Sequence, residues 1–346
     1  MVQQIALHRW RWPLAGLLAV LLAGCTTTEL VLDPPDTSAP RRLITQGPAT
    51  RIVIDNINPC QNPVPGMNLR RAAVGEITAT DGTVITVPAA TSFPKRPDAI
   101  AADLYNECNR VTPLNTAAVQ AATAPVVEID RDGEVVTGYI VADNYYELWV
   151  NGQLVAVDAT PFTPFNSSIV KFKVKRPYTM AFLLVDWEEH LGLGMERNPL
   201  PPNPRSQPYY PGDGGLIARF SDGTLTDATW KAQSFYIAPL MNPQEVVEKG
   251  NVHDTGAIGG RVHPFARRPD CQDKCFAVHY PIPQGWQSPR FNDSLWPRAW
   301  EFTNEEIGVR SLPGFTRYPE LFGDARWIWS YNLVLDNVVI ARKTVR

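Results

Sequence analysis

The sequence lacks the motifs by which several large classes of enzyme are recognised. It contains no G-x-S-x-G, H-E-x-x-H or G-x-x-x-x-G-K-[ST] pattern, which argues against the usual serine hydrolases, zinc proteases and P-loop NTPases. It also has no basic cluster along the chain, and with a formal net charge of −3 nothing predicts a nucleic-acid partner. Long helical periodicity is absent, whereas the 32 prolines suit turns and edge strands. These absences favour an all-β protein without ordinary hydrolase machinery.

The N-terminus carries an export signal. Three basic residues precede an apolar run from Leu14 to Ala23, and a run of roughly 10 residues is too short to span a bilayer. Leu22-Ala23-Gly24-Cys25 then matches the bacterial lipobox, whose cysteine accepts a diacylglycerol. We predict a signal peptide over residues 1–24 and lipidation at Cys25. Because no Asp follows Cys25, we expect a lipid anchor in the outer membrane; an ordinary cleaved signal is the alternative.

The cysteine count agrees with export. Of five cysteines, the lipid acceptor leaves an even remainder of four, namely Cys60, Cys108, Cys271 and Cys275. In an oxidising compartment, an even remainder indicates two disulfides. The nearest pairings are Cys60–Cys108 and Cys271–Cys275, although four cysteines permit three connectivities.

The first third of the chain divides into a tether and a cap. Residues 25–50 are rich in Thr, Pro and Asp, which predicts a flexible tether above the membrane. Residues 51–125 contain two short strand-like runs, and Ala99–Cys108 and Thr116–Ala122 are candidates for short helices. We interpret 51–125 as a Pro-rich cap on the main body, because it has few large apolar residues for a core of its own.

From residue 126 onward, short strand-like runs alternate with turns. Asp-Gly or Asn-Gly pairs stand at 132–133, 151–152 and 222–223, as hairpin turns require. The pattern predicts an antiparallel β-sandwich or jelly roll over 126–346. Long insertions at 195–215 and 242–285 interrupt it, and long loops on a rigid scaffold often carry binding function.

Three segments resemble those of galactose-binding-like jelly-roll domains: ADNYYELWVNGQLV, GLIARFSDGTLTDATWKA and FNDSLWPRA. Such domains accompany bacterial rhamnosidases and galactosidases, often as carbohydrate-binding modules. The resemblance covers about 126–346 and includes no catalytic module. It therefore implies carbohydrate binding without hydrolase activity.

A sugar site needs a flat aromatic face for the pyranose ring and polar groups for its hydroxyls. We expect these from residues in or beside the predicted loops, namely Trp187, Glu188, Tyr209, Tyr210 and Trp286, with Arg290 or Asn292 as hydrogen-bonding groups. The alternative for each aromatic residue is that it covers the core of a loop.

Two metal sites come into consideration. The resemblance implies a structural calcium, for which Glu128, Asp130 and Asp336 are candidates by position, although calcium needs six to eight oxygen ligands. Separately, Cys271, Cys275 and His279 resemble the ligand loop of the binuclear copper domain of cytochrome oxidases. Ile282 stands where that loop has methionine, and His253 or His263 would have to supply a further ligand. Because C-x₃-C in an exported protein readily forms a disulfide, we favour the disulfide.

The segment Asp186-Trp187-Glu188-Glu189-His190 gathers three carboxylates beside a histidine, as acid–base catalysis requires. Alternation along a strand would divide these side chains between two faces, so a solvated strand end is the preferred interpretation. No second carboxylate can be placed opposite them, and a glycosidase pair is not supported.

The sequence thus predicts a non-catalytic cell-envelope lipoprotein whose jelly roll binds a glycan. The first alternative is a structural or assembly lipoprotein that docks an envelope protein through the same sandwich. The second is a periplasmic copper-handling protein.

Overall fold

The structure is a computed structural model that describes residues 31–35, 41–60, 71–119, 124–161, 166–197, 209–250, 252–255, 271–309 and 312–346. Within it, Leu32–Arg346 forms one compact unit. In these ranges no helix has both the length and the apolar character needed to cross a bilayer. The predicted signal peptide and Cys25 lie outside the described residues.

Two large sheets make up most of the molecule, with strands numbered in chain order. The first sheet contains, in spatial order, β1 (Leu43–Gln46), β18 (Phe276–His279), β15 (Lys231–Leu240), β21 (Asp336–Val345), β11 (Tyr178–Val185), β8 (Tyr145–Val150) and β9 (Gln153–Val157). The second contains β19 (Trp300–Phe302), β20 (Trp327–Trp329), β14 (Gly215–Phe220), β7 (Glu134–Asp143), β10 (Ser167–Val174) and β5 (Ala102–Tyr105), with β6 (Val126–Glu128) also paired to β10.

Smaller elements surround these sheets. A three-stranded sheet and two hairpins consist of β2 (Arg51–Ile54), β3 (Val74–Thr78) and β4 (Val84–Val87), β12 (Met195–Arg197) with β13 (Tyr209–Pro211), and β16 (Val247–Lys249) with β17 (Val252–Asp254). Single-turn α-helices are α1 (Asn304–Ile307), α2 (Pro313–Thr316) and α3 (Pro319–Phe322). Short 3₁₀ turns span Pro97–Ala99, Thr116–Ala118, Pro243–Glu245 and Gln272–Lys274.

The two sheets pack face to face as an antiparallel β-sandwich, which confirms the predicted all-β fold and is compatible with a jelly roll. Alternation explains the packing, because every second side chain of a strand points to the same face. In β8, Tyr146 points into the core, where its ring meets that of Phe182 at 6.0 Å. In the second sheet Phe172 faces the same interior, 6.1 Å from Phe220.

The turn after β8 follows the predicted chemistry. Asn151 and Gly152 have φ values of 49° and 85°, and two positive φ values in succession are what a tight hairpin turn demands. Asn151 also accepts a hydrogen bond from the Thr179 backbone N–H at 2.9 Å, through its side-chain oxygen. This pair therefore fixes the register of β8 against β9 and its contact with β11.

Several predicted boundaries were wrong. Leu43–Gln46 lies within the predicted tether, yet it forms edge strand β1 of the first sheet, paired with β18. The predicted insertion 242–285 includes β18 itself, which lies between β1 and β15. Within the predicted cap, residues 102–105 form strand β5 rather than a helix. In each case pairing with a strand distant in sequence decides the conformation.

Both nearest disulfide pairings are confirmed. Cys60 bonds Cys108 across 48 residues, and Cys271 bonds Cys275 across four. The first bridge ties the segment that follows β2 to the turn that follows β5. The second closes a small loop directly before β18.

Candidate ligand-binding face

The outer face of the second sheet is half covered. Over one half lie α2 and α3, and both Phe315 of α2 and Tyr318, directly before α3, are buried. The Tyr318 ring meets that of Tyr105 in β5 at 6.4 Å, and the Phe315 ring meets that of Trp327 in β20 at 5.3 Å. The other half of this face, towards the start of β7, is open to solvent.

Tyr139 lies at the boundary of the open half. Along β7, Val136 and Ile140 point into the core, so Thr137 and Tyr139 point outward. Tyr139 pairs directly with Arg219 of β14 on one side and with Ile169 of β10 on the other. Because Cβ atoms of opposed residues are about 5 Å apart, the Tyr139 ring is flanked on both sides by neighbours. Its half-buried position orients the ring and leaves part of it accessible.

Arg219 is exposed, and contacts with α3 hold its guanidinium in position. Its Nη1 donates to the Glu320 backbone carbonyl at 3.2 Å. Gly323, directly after α3, lies so close that a Cβ there would come within 2.7 Å of the same nitrogen. The glycine thus leaves space for the arginine.

Two lysines of β10 complete the open half. Lys171 pairs with Thr137, and Lys173 pairs with Val135, so both lysines share the outer face with Tyr139. Lys173 donates to the Arg131 carbonyl at 2.6 Å. Glu128 of β6 pairs with Lys173 and contributes a carboxylate to the face. We define the open face as Thr137, Tyr139, Lys171, Lys173, Arg219 and Glu128.

The open face contains the kinds of groups that can bind a ligand. A fixed phenol ring presents an apolar surface of the kind that packs against C–H groups, and its hydroxyl can donate or accept a hydrogen bond. The guanidinium and ammonium groups add donors on either side of the ring. A flat, polar ligand with both apolar and hydrogen-bonding surfaces fits this combination.

The two tryptophans predicted to stack on sugar are buried. Trp187 is 0 % exposed, donates through Nε1 to the Ala73 carbonyl at 3.1 Å, and meets the Tyr145 ring edge-on at 5.6 Å. Trp286 is 6 % exposed and packs edge-on against Trp149 at 6.2 Å. Neither indole presents a face to solvent, and the two lie in different parts of the structure. Both residues therefore follow the alternative interpretation, in which the aromatic side chain covers a core.

The loop around Trp286 is held by a buried cation. Arg342 of β21 donates to the carbonyls of Trp286, Ser288 and Phe291 and to the Asp293 carboxylate. Burial lowers the pKa of Arg342, whereas Asp293 opposes that shift. Arg342 therefore explains why this loop closes over the outer face of the first sheet instead of forming an open groove.

The remaining predicted sugar contacts lie on different elements of the structure. Arg290 is exposed, and the Asn292 side chain accepts from the Ser294 backbone N–H at 3.0 Å, which makes it a turn residue. Tyr209 and Tyr210 belong to β13, but their side chains lie outside the described part of the structure. Arg290 and Asn292 therefore belong to the loop held by Arg342, whereas Trp187 lies against Ala73.

The carboxylates after β11 are not a solvated strand end. Asp186 and Glu188 are buried, at 1 % and 2 % exposure, and Glu188 packs so closely on Gly212 that a Cβ there would meet its carboxylate. Asn144 accepts from the Trp187 backbone N–H at 2.7 Å and holds this segment against the end of β7. The preferred interpretation of this segment from sequence was wrong.

The calcium candidates are far apart. Asp130 accepts from the Lys175 backbone N–H, beside Arg176, which binds the carbonyl of the last residue of the chain. Asp336 begins β21, and at about 3.3 Å per residue the two ends of this strand are on the order of 30 Å apart. Burial raises the pKa of Asp336 to about 7, and its carboxylate accepts from Ser330. Glu128, Asp130 and Asp336 therefore do not form one site.

The copper ligand set is also not assembled. The Cys271–Cys275 disulfide occupies both thiol sulfurs. His279 contacts Thr45 at 3.0 Å and stacks on Tyr236, and burial lowers its pKa to about 3. His253 stacks on Tyr280, and His263 lies outside the described residues. Across the described ranges, no three His, Cys, Asp or Glu side chains are grouped to hold a metal.

Comparison with known proteins adds no assignment: no protein-family model, no curated protein and no solved structure matches this chain. The fold class and the open face therefore stand on the structure itself. Sequence reasoning missed Tyr139 and Arg219, although the alternation in VVTGYIVA already separates Tyr139 from the core-facing residues.

Proposed function

We propose that this protein is an exported, non-catalytic envelope lipoprotein that binds carbohydrate on the open face. The observation that carries the proposal is Tyr139, an oriented and partly accessible aromatic ring between Arg219 and the β10 lysines. The β-sandwich and the motifs that resemble galactose-binding-like domains support the same class. The lipobox at Cys25 supports anchorage in the outer membrane.

A sheet is a suitable support for such a contact. The ring of Tyr139 loses little conformational freedom on binding, because its neighbours on β14 and β10 already restrict it. Pyranose rings present an apolar face of C–H groups, so they can lie on a phenol while their hydroxyls meet donors beside it. Exposed loops would have to be ordered first.

The test uses residues 29–346, which include the whole compact unit Leu32–Arg346. Affinity electrophoresis through gels containing neutral or acidic polysaccharides should show retardation by at least one of them. Tyr139→Ala should lower that affinity about 10-fold, because it removes the stacking surface. Tyr139→Phe keeps the ring and should remain within a few-fold of the parent protein.

The matched control replaces an exposed aromatic residue at the far edge of the same sheet, three strands away from β7. Trp300 is 44 % exposed in β19 and meets the Tyr331 ring at 5.0 Å. Trp300→Ala should leave retardation unchanged. Loss of binding in Trp300→Ala but not in Tyr139→Ala would move the site, and retardation by no polysaccharide would overturn the proposed function.

A second candidate function is docking of an envelope protein along β2. Ile52 and Val53 are 47 % and 46 % exposed on this strand, which pairs on one side with β3 and, among the described residues, has no strand on the other. Such an edge can accept an extended segment of a partner. A photo-cross-linker at Val53 should then give one discrete protein adduct that Ile52→Lys abolishes. A smear of adducts would argue against docking.

A further inference from the structure

The open face has the opposite charge to the molecule as a whole. The chain carries a net charge of −3. The open face carries three cations, Lys171, Lys173 and Arg219, against the single carboxylate of Glu128. These four residues come from β6, β10 and β14, and β7 lies between β10 and β14. The cationic surface therefore exists only once all four strands have paired.

The cations flank the aromatic ring. Arg219 lies across from Tyr139 on β14, whereas Lys171 lies on β10, opposite a residue two positions from Tyr139. With strands about 4.8 Å apart and a rise of about 3.3 Å per residue, the Cα atoms of Arg219 and Lys171 are on the order of 12 Å apart. A chain of sugars that crosses the ring would therefore meet one cation on each side.

The described part of the protein does not neutralise either cation. Across the described ranges, none of the ion pairs contains Lys171 or Arg219. Arg219 is held through one N–H by the Glu320 carbonyl, and the rest of its planar fork matches a carboxylate in shape. A fixed guanidinium loses less freedom on binding than a mobile one.

We propose that the ligand of the open face is an acidic polysaccharide of the polyuronate type. Tyr139 packs on the ring of one sugar unit, and Arg219 binds the carboxylate of a uronate unit through its fork. Lys171 attracts the carboxylate of a neighbouring uronate unit in the same polysaccharide. This inference rests on the proposed function and adds the chemical class of the ligand. Exposed charges are screened, so the preference is expected to depend strongly on salt.

The experiment compares polygalacturonate with its carboxyl-reduced form, which keeps the same backbone without the charges. Residues 29–346 should bind the acidic polymer at least 10-fold more tightly at about 20 mM salt, and this ratio should shrink at about 200 mM salt. Lys171→Gln and Arg219→Gln should each lower affinity for the acidic polymer about 5-fold, with little effect on the reduced polymer. Arg219→Lys keeps the charge and should fall between Arg219→Gln and the parent protein.

Lys95→Gln is the matched control. Lys95 is exposed in the segment whose Ser92 contacts Glu147 on the outer face of the first sheet, so it lies on the other side of the sandwich. Its replacement changes the net charge equally and should leave both affinities unchanged. Equal loss in Lys95→Gln would show that only the net charge matters and would overturn the inference.

The outcomes separate this inference from the proposed function. Equal binding of the acidic and reduced polymers overturns the anionic preference and leaves carbohydrate binding in place. If neither polymer binds and only neutral glycans retard the protein, the preference for acidic polysaccharides is overturned as well, and carbohydrate binding again stands. Duplex DNA binding as tightly as polygalacturonate would show general polyanion attraction and overturn the assignment of a polyuronate.

Discussion

Asp158 is a fully buried carboxyl that the fold holds in a polar interior. It directly follows β9, and its Oδ1 accepts from the Thr160 backbone N–H at 3.0 Å and from the Asn166 side chain at 2.7 Å. Burial raises the pKa of Asp158 to about 7, although these two hydrogen bonds act in the opposite direction. The buried Tyr146 hydroxyl lies nearby, where the charge of Asp158 raises its pKa further.

The raised pKa predicts a pH-dependent stability. Between about pH 4 and pH 7 the folded state keeps a proton on Asp158 that the unfolded chain releases, so the free energy of unfolding falls as pH rises through this window. Asp158→Asn removes the share of this dependence that is due to Asp158, whereas Asp336, whose pKa burial also raises to about 7, keeps its own share. Relative to the parent protein, the variant should gain about 3 kcal/mol between the two ends of the window, measured by urea unfolding.

Tyr146→Phe provides the comparison for that experiment. It changes the same polar interior and keeps the carboxyl, so its stability should follow pH in the direction of the parent protein. Parallel curves for Asp158→Asn and the parent protein would contradict the raised pKa. The comparison uses differences between variants because other carboxyls, such as Asp81 with a pKa of about 2, contribute the opposite slope.

Among the elements, the two disulfides close loops of very different length. The bridge Cys60–Cys108 spans 48 residues, and Cys271–Cys275 spans four. In the chain-entropy model, a longer closed loop restricts the unfolded chain more strongly. Replacing both cysteines of the long bridge by serine should lower the free energy of unfolding by about 4 kcal/mol, against about 2 kcal/mol for the short one. Denaturant titration of the two double variants checks this, and a larger loss for the short bridge would contradict it.

The strands show what the sequence could predict. The alternation in β7, β8 and β10 and the Asn151-Gly152 turn were visible locally, because period and turn chemistry are local properties. By contrast, β5 in an alanine-containing segment and β18 within a predicted insertion become strands only through partners far along the chain. Strand conformation of that kind depends on tertiary contacts.

At the scale of the whole molecule, the site was harder to predict than the fold. Trp187 was expected at a surface, but Ala73, more than a hundred residues earlier, accepts its indole N–H and covers it. The open face, by contrast, could not be seen in the sequence. No basic cluster appears along the chain, and the cations meet only when β7, β10 and β14 pair in register. Which half of that face stays open depends on where α2 and α3 pack.

Amide chemical-shift mapping tests the location of carbohydrate binding most directly. Residues 29–346, labelled with ¹⁵N, would be titrated with polygalacturonate oligomers and followed by transverse-relaxation-optimised spectra. The account predicts the largest shifts at Thr137, Tyr139, Lys171 and Arg219, with smaller ones along the adjacent strands. Shifts concentrated around Trp300 and Tyr331, or in the loop held by Arg342, with the open face unchanged, would contradict it.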